Sequence, residues 1–241
     1  MIEQYKKIHS EKPDYGNLSV LDKNYDYIKS ILSFLKPKNF IDFGCGKGVL
    51  ADTLSKDFSI HSFKYDPAIP KFANTPTGEF DVLINTDVLE HIPETDLDSV
   101  INHMRSLSSI AIIVVHLALS QEILPNGENA HCTIKSPSEW KVLLSNYYSN
   151  VSNIIHHHPK RTIFVCSHQH LDLTPCLETL KYIRLWKETV QSYPSKAEIA
   201  QYSEKFSVRL SQATMLLLGK KIYMKHRTFF RKYIVHRKLI S

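Results

Sequence analysis

Three of the chain's seven glycines fall within five residues, Gly44-Cys45-Gly46-Lys47-Gly48. They follow a short apolar run, Phe40 to Phe43, that reads as a buried strand, and they precede a segment that reads as a helix through Leu54. Glycine at such a junction lets the backbone turn tightly and lets a ligand lie against the main chain. The next strand-like run, Ile60 to Tyr65, ends at Asp66-Pro67. A carboxylate in that place can accept hydrogen bonds from both hydroxyls of a ribose. Together the two features point to a nucleotide-type cofactor at the carboxyl edge of a parallel sheet.

The remaining pattern supports such a sheet. Ile28, Ile31, Leu32 and Leu35 recur at helical spacing from about Asp22 to Leu35, and Pro37 stops the helix. Asp81 to Asn85 reads as a strand. Leu97, Val100, Ile101, Met104 and Leu107 share one face of a helix over Pro93 to Leu107, and Ile110 to Val115 is a fully apolar strand fit for a sheet centre. Ser136, Pro137 and Glu139 form the N-cap, first position and capping box of another helix. Val151 to Ile155 and Arg161 to Cys166 are joined by only five residues, which implies an antiparallel pair. The expected fold is α/β: a Rossmann-like, mostly parallel sheet with one antiparallel edge strand, helices on both faces and a C-terminal helical extension. Residues 1–170 would form the binding domain, with 1–37 as an N-terminal cap and first helix. Residues 171–241 would form the extension, helical from Leu173 and broken at Pro194.

Composition narrows the classes. With 43% hydrophobic and 22% charged residues in 241, the chain is not largely disordered. Its longest apolar stretch, Ile110 to Leu119, is half a membrane span, and no apolar signal core follows Met1. Cys45, Cys132, Cys166 and Cys176 lack paired spacing, which fits reduced thiols and a cytoplasmic location. Ten Lys or Arg and no acid follow Glu204; they exceed the net charge of +6, so the rest of the chain is net acidic. This basic tail, interleaved with aromatic residues, reads first as a docked helix with a solvated face. Its alternative is an anion-binding patch for nucleic acid or a peripheral membrane contact.

The glycine spacing departs from the dinucleotide fingerprint, and no P-loop is present. Instead, Ile41-Asp42-Phe43-Gly44-Cys45-Gly46-Lys47-Gly48 resembles the first motif, D-x-G-x-G-x-G, of class I S-adenosylmethionine-dependent methyltransferases. Asp66 matches that family's ribose-binding acid. Phe80-Asp81-Val82-Leu83-Ile84-Asn85-Thr86-Asp87-Val88-Leu89-Glu90-His91-Ile92-Pro93 is similar to its fourth-strand motif. The resemblance spans roughly Asn39 to Cys166. It implies S-adenosyl-L-methionine as cofactor, held by Asp42, Gly44, Cys45, Gly46, Gly48, Asp66, Pro67, Thr86 and Asp87. One departure matters: only fourteen residues separate Asp66 from Asp81. That interval is too short for the helix, third strand and adenine-contacting acid of many relatives, so that strand is expected to be absent or vestigial.

On the acceptor side, His116 ends the apolar strand at the ligand-binding edge, and the polar loop Leu124 to Cys132 follows. His116 and His131 are the candidate catalytic bases. Tyr15, His91, Asn126 and Asn129 are the candidate substrate contacts. No metal is expected: His156-His157-His158 lie side by side in a strand-like run, and Cys166, His168 and His170 have no partner at ligand spacing. The resemblance implies methyl transfer to a small-molecule or glycan-linked acceptor, through oxygen, as in bacterial small-molecule and surface-polysaccharide enzymes. Two rivals stand beside it. One is a nucleic-acid methyltransferase using the basic tail, although Asn85-Thr86-Asp87-Val88 does not form the Asn/Asp-Pro-Pro-aromatic motif. The other is a non-catalytic cofactor-binding module.

Overall fold

The computed structural model describes residues 1–12, Tyr15 and residues 24–192. The chain divides into two compact units, Met1–Leu180 and Lys181–Ser241. The basic tail after Glu204 and the break at Pro194 lie outside the described residues.

Six strands form one sheet: β1 (Asn39–Phe43), β2 (His61–Tyr65), β3 (Val82–Thr86), β4 (Ile110–His116), β5 (Asn150–Ile155) and β6 (Arg161–Ser167), in the order β2-β1-β3-β4-β6-β5. Strands β1 to β4 are mutually parallel, while β6 is antiparallel to both β4 and β5. The antiparallel strand expected at this edge is therefore β6, with β5 outside it. Its direction has a consequence for the site. The carboxyl ends of β1, β2, β3 and β4 lie on one edge, and because β6 runs the other way, its first residue, Arg161, pairs with His116 there. Chain order reverses on either side of β1, so a crevice opens between the ends of β1 and β3.

The described residues form six α-helices: α1 (Ile2–Glu11), α2 (Tyr25–Leu35), α3 (Val49–Phe58), α4 (Glu94–Leu107), α5 (Pro137–Ser145) and α6 (Thr174–Ser192). The first, α1, has no counterpart in the sequence reading, because its apolar face is only Tyr5 and Ile8. The others follow their sequence signals. Helix α2 stops as Lys36 turns left-handed (φ 52°) ahead of Pro37. Helix α4 buries Leu97, Ile101, Met104 and Leu107 against β1, β3, β4 and Trp140, with Val100 at the margin. Each fully buried aliphatic side chain of this kind contributes about 1.5–3 kcal/mol. Between Asp66 and Asp81 there is one 3-10 turn, Pro70–Phe72, and no strand. The short interval thus omits the family's extra strand, and β2 becomes an edge.

Helix α5 begins as its sequence dictates. The Glu139 amide donates to Ser136 Oγ (3.3 Å), and the Ser136 amide donates to Glu139 Oε2 (2.7 Å). This reciprocal cap satisfies two donors that the helix itself leaves unpaired. Ser136→Ala is expected to cost about 1 kcal/mol in urea unfolding.

Candidate active site

The glycine turn follows directly from β1. Gly44, Gly46 and Gly48 all have positive φ (82°, 50° and 79°). A Cβ on Gly44 would overlap the Val88 methyls just after β3, and a Cβ on Gly48 would sit 2.6 Å from Lys64 Cδ. Conformation therefore demands glycine at both positions, and at Gly44 the Val88 side chain leaves no room for a Cβ either. The turn is tied to β2 by the Gly44 and Cys45 amides, which donate to Tyr65 O (2.7 and 3.0 Å). Asp66 completes the tie: Oδ2 accepts from the Gly46 amide and Oδ1 from the Ala68 amide, each at 2.9 Å. Each carboxylate oxygen keeps lone-pair capacity for a further donor. Pro67 is half-buried beside it, and Cys45 is half-buried, its thiol pushed up by burial and by Asp42 and Asp66. That environment makes Cys45 a packing residue, not a nucleophile.

Asp42 lies beneath the turn at 1% exposure. Burial, reinforced by Asp66, raises its pKa to about 7. The sign follows directly. Between about pH 4 and pH 7 the folded chain keeps a proton that the unfolded chain has lost. Stability therefore falls as pH rises through this window and is lowest above it. Asp42→Asn removes the penalty. In cofactor-free protein its stability relative to wild type should grow by about 2–3 kcal/mol between pH 5 and pH 8, measured by urea unfolding.

Beyond β3, Thr86 is buried and Asp87 turns left-handed (φ 54°). Both Asp87 oxygens are held by Arg161, Nε to Oδ1 and a terminal nitrogen to Oδ2, each at 3.1 Å, and Asn24 approaches Oδ2 at 3.4 Å. Such a bidentate pair fixes both side chains in a half-desolvated place. Arg161 was legible only as the first residue of a strand; its role depends on the antiparallel register.

The acceptor-side histidines converge. The His91 and His131 rings are 4.6 Å apart, and those of His116 and His131 are 4.8 Å apart. His116 Nδ1 and His131 Nδ1 both meet the Ala118 carbonyl, at 2.9 and 2.6 Å. His91 Nδ1 meets the Ala130 carbonyl at 2.8 Å. A carbonyl only accepts, so Nδ1 of His91 and of His131 carries the proton and Nε2 keeps its lone pair, whereas His116 Nδ1 faces both the carbonyl and, at 3.3 Å, the amide of Ala118. Burial lowers all three pKa values, that of His91 to about 4, with His131 the next cause. The rings are neutral at pH 7, as a base must be before it takes a proton.

Glu90, next to His91, is wholly buried. Its Oε1 accepts from the His116 amide (2.9 Å), while Oε2 has no hydrogen-bond partner among the described residues. Burial, with Asp87 as the next cause, raises its pKa well above the carboxylate range. Tyr5 of α1 reaches this cluster, its hydroxyl donating to Ala130 O at 2.9 Å and lying 2.7 Å from His91 Nδ1. Tyr15 packs with Ile8, Leu124 and Ala130, its pKa raised to about 12 by burial and by Glu122. Asn129 braces the loop: its amide group bridges both backbone groups of Ser120, and Oδ1 also accepts from the His131 amide. Asn126 is exposed and bonded to Glu128 within its turn. Of the loop residues, His131 faces the other histidines, Asn129 orients it, and Asn126 stands apart. The sequence reading missed Glu90, Arg161 and Tyr5 as site residues. His156 and His157 pack on Tyr27 instead of joining this cluster.

The comparisons agree with this geometry. A family model described as a methyltransferase domain matches residues 20–163. The chain belongs to the class I S-adenosylmethionine-dependent methyltransferases. No curated protein matches its sequence. Among solved structures, it is similar to the 1,6-didemethyltoxoflavin-N1-methyltransferase of Burkholderia thailandensis, at 12% identity and TM-score 0.51, over 70% of this chain and 88% of that one. It is also similar to human N-acetylserotonin methyltransferase, at 14% identity and TM-score 0.51, over 70% of this chain and 59% of that one. A third likeness, to the DhpI–SAH complex, has 15% identity and TM-score 0.50, over 68% and 93% of the two chains. These likenesses concern the fold.

Proposed function

We propose that the chain binds S-adenosylmethionine at the Gly44–Gly48 turn and Asp66, and methylates an oxygen of a small-molecule or glycan-linked acceptor seated between His116 and His131. The observation that carries the cofactor half is the turn itself: three glycines at positive φ, held beside a carboxylate that two backbone amides anchor. When bound, the cofactor supplies an electrophilic methyl group on a sulfonium. The chain's own residues supply the rest. Asp66 would accept from the ribose hydroxyls. Asp42, Cys45, Pro67, Thr86 and Asp87 shape the crevice between β1 and β3.

The acceptor half rests on the free Nε2 atoms. A neutral imidazole with Nδ1–H fixed on a carbonyl takes the hydroxyl proton at Nε2, the pattern of an oriented general base. His131 offers such an atom on the carboxyl edge, and the His116 ring lies beside it. His91 and Tyr15 line the same region, while Asn129 positions His131. The neighbours that act on small molecules support this acceptor class by analogy of fold alone. Among the described residues no helix is long and apolar enough to cross a membrane.

Two measurements test the reading. Calorimetry with S-adenosylhomocysteine should show binding that Asp66→Ala weakens by about 1–3 kcal/mol; preference for a nicotinamide dinucleotide would contradict it. With an acceptor in hand, His116→Ala or His131→Ala should lower turnover by about 10²–10⁴-fold at little change in cofactor affinity. Full activity in both variants would remove the histidines from the mechanism.

A further inference from the structure

We infer that Glu90, His91 and His131 form a binding site for one divalent metal ion on the acceptor side of the crevice. The inference rests on the methyltransferase reading for its purpose, but not for its geometry. The three residues each offer a ligand atom, and these atoms lie within 4.8 Å of one another. A cation with nitrogen and oxygen ligands at about 2.0–2.2 Å draws its ligands to within roughly 4 Å of each other, so closing the site takes only small side-chain movements.

Three independent features favour a cation here. Glu90 Oε2 is buried without a hydrogen-bond partner among the described residues. A carboxyl oxygen left without a partner in a protein interior has unmet hydrogen-bonding capacity, and a metal ion is one of the few partners that satisfies it. Next, Nδ1 of His91 and of His131 is taken by a backbone carbonyl, Ala130 O and Ala118 O. That is the support a metal-bound imidazole needs, because it fixes the ring and presents Nε2 as the donor. Finally, Asp87 is neutralised on both oxygens by Arg161. Glu90 is then the acid of the cluster that has no ion pair among the described residues, and the set is two imidazoles and one carboxyl group.

That donor set suits zinc, cobalt, manganese or ferrous iron better than calcium or magnesium, which take mainly oxygen. Three protein ligands leave further coordination positions open to water or an acceptor oxygen. A bound hydroxyl would lose its proton more readily, so the acceptor would be an oxygen compound able to ligate the ion. His116 lies outside the ligand set and remains the candidate base; with the ion bound, the His131 Nε2 lone pair is spent on the metal, so His131 then acts as a ligand and not as a base. The sequence pointed away from this site because its ligands come from the turn after β3 and from a loop forty residues later. Of the conspicuous runs, His156 and His157 pack on Tyr27, and His158 approaches His116 (6.3 Å between rings) without joining the ligand set.

The test uses the full chain, stripped with a chelator and titrated with Co²⁺, whose visible absorption reports inner-sphere nitrogen and oxygen ligands. The expected result is one Co²⁺ per chain, displaced by Zn²⁺, with affinity lowered at least about 10–100-fold in both Glu90→Gln and His131→Ala. S-Adenosylhomocysteine binding is measured in the same samples as a check of folding. Absence of stoichiometric Co²⁺ binding in the wild type would overturn the inference. So would unchanged binding in either variant that still binds S-adenosylhomocysteine. If Co²⁺ binds as expected while the wild type fails to bind S-adenosylhomocysteine, the metal site stands and the methyltransferase reading fails.

Discussion

The arrangement depends first on Asp66. One carboxylate at the end of β2 accepts the Gly46 amide from the turn after β1 and the Ala68 amide from its own loop. Charge-assisted bonds of this kind are roughly twice as strong as neutral ones. They hold the glycine turn at the mouth of the crevice, where the backbone can be touched. The sheet's parallel order then brings the ends of β3 and β4 to the same edge. Removing the Asp66 carboxylate would leave two buried amides short of an acceptor and loosen the turn.

Across the crevice the design is different in kind. Donor-side groups are held by backbone amides, whereas acceptor-side histidines are held by backbone carbonyls. At His91 and His131 the carbonyls select the Nδ1–H tautomer, so the chain fixes which nitrogen is reactive without a catalytic carboxylate partner. Glu90 connects the halves. It sits in the short 3-10 turn Leu89–His91 after β3 and accepts from the amide of His116 at the end of β4. The antiparallel β6 adds Arg161, which holds both oxygens of Asp87 beside them.

Much of this was legible in the sequence, and the limits are physical. Periodicity placed β1 to β6 to within a residue or two, because buried parallel strands are short apolar runs bounded by turn signals. The glycine cluster and Asp66 were legible because conformation and hydrogen bonding constrain each locally. His116 and His131 were legible as an edge residue and a loop residue. Their contact was not, since it depends on how the loop folds back through Asn129. Glu90 and Arg161 gain their roles from strand register, and Tyr5 from the docking of α1, an element with too few apolar positions to announce itself. The interval between Asp66 and Asp81 shows the reverse case. There, length alone dictated that no strand would form.

The central claim is that one edge of the sheet holds a methyl donor on Asp66 and aims it at the histidine cluster. A crystal structure of the chain with S-adenosylhomocysteine tests this most directly. The account predicts both ribose hydroxyls within about 2.5–3.0 Å of Asp66 oxygens, with the sulfur facing the space before His116 and His131. Cofactor bound with its ribose away from Asp66, or with its sulfur turned from that cluster, would contradict it.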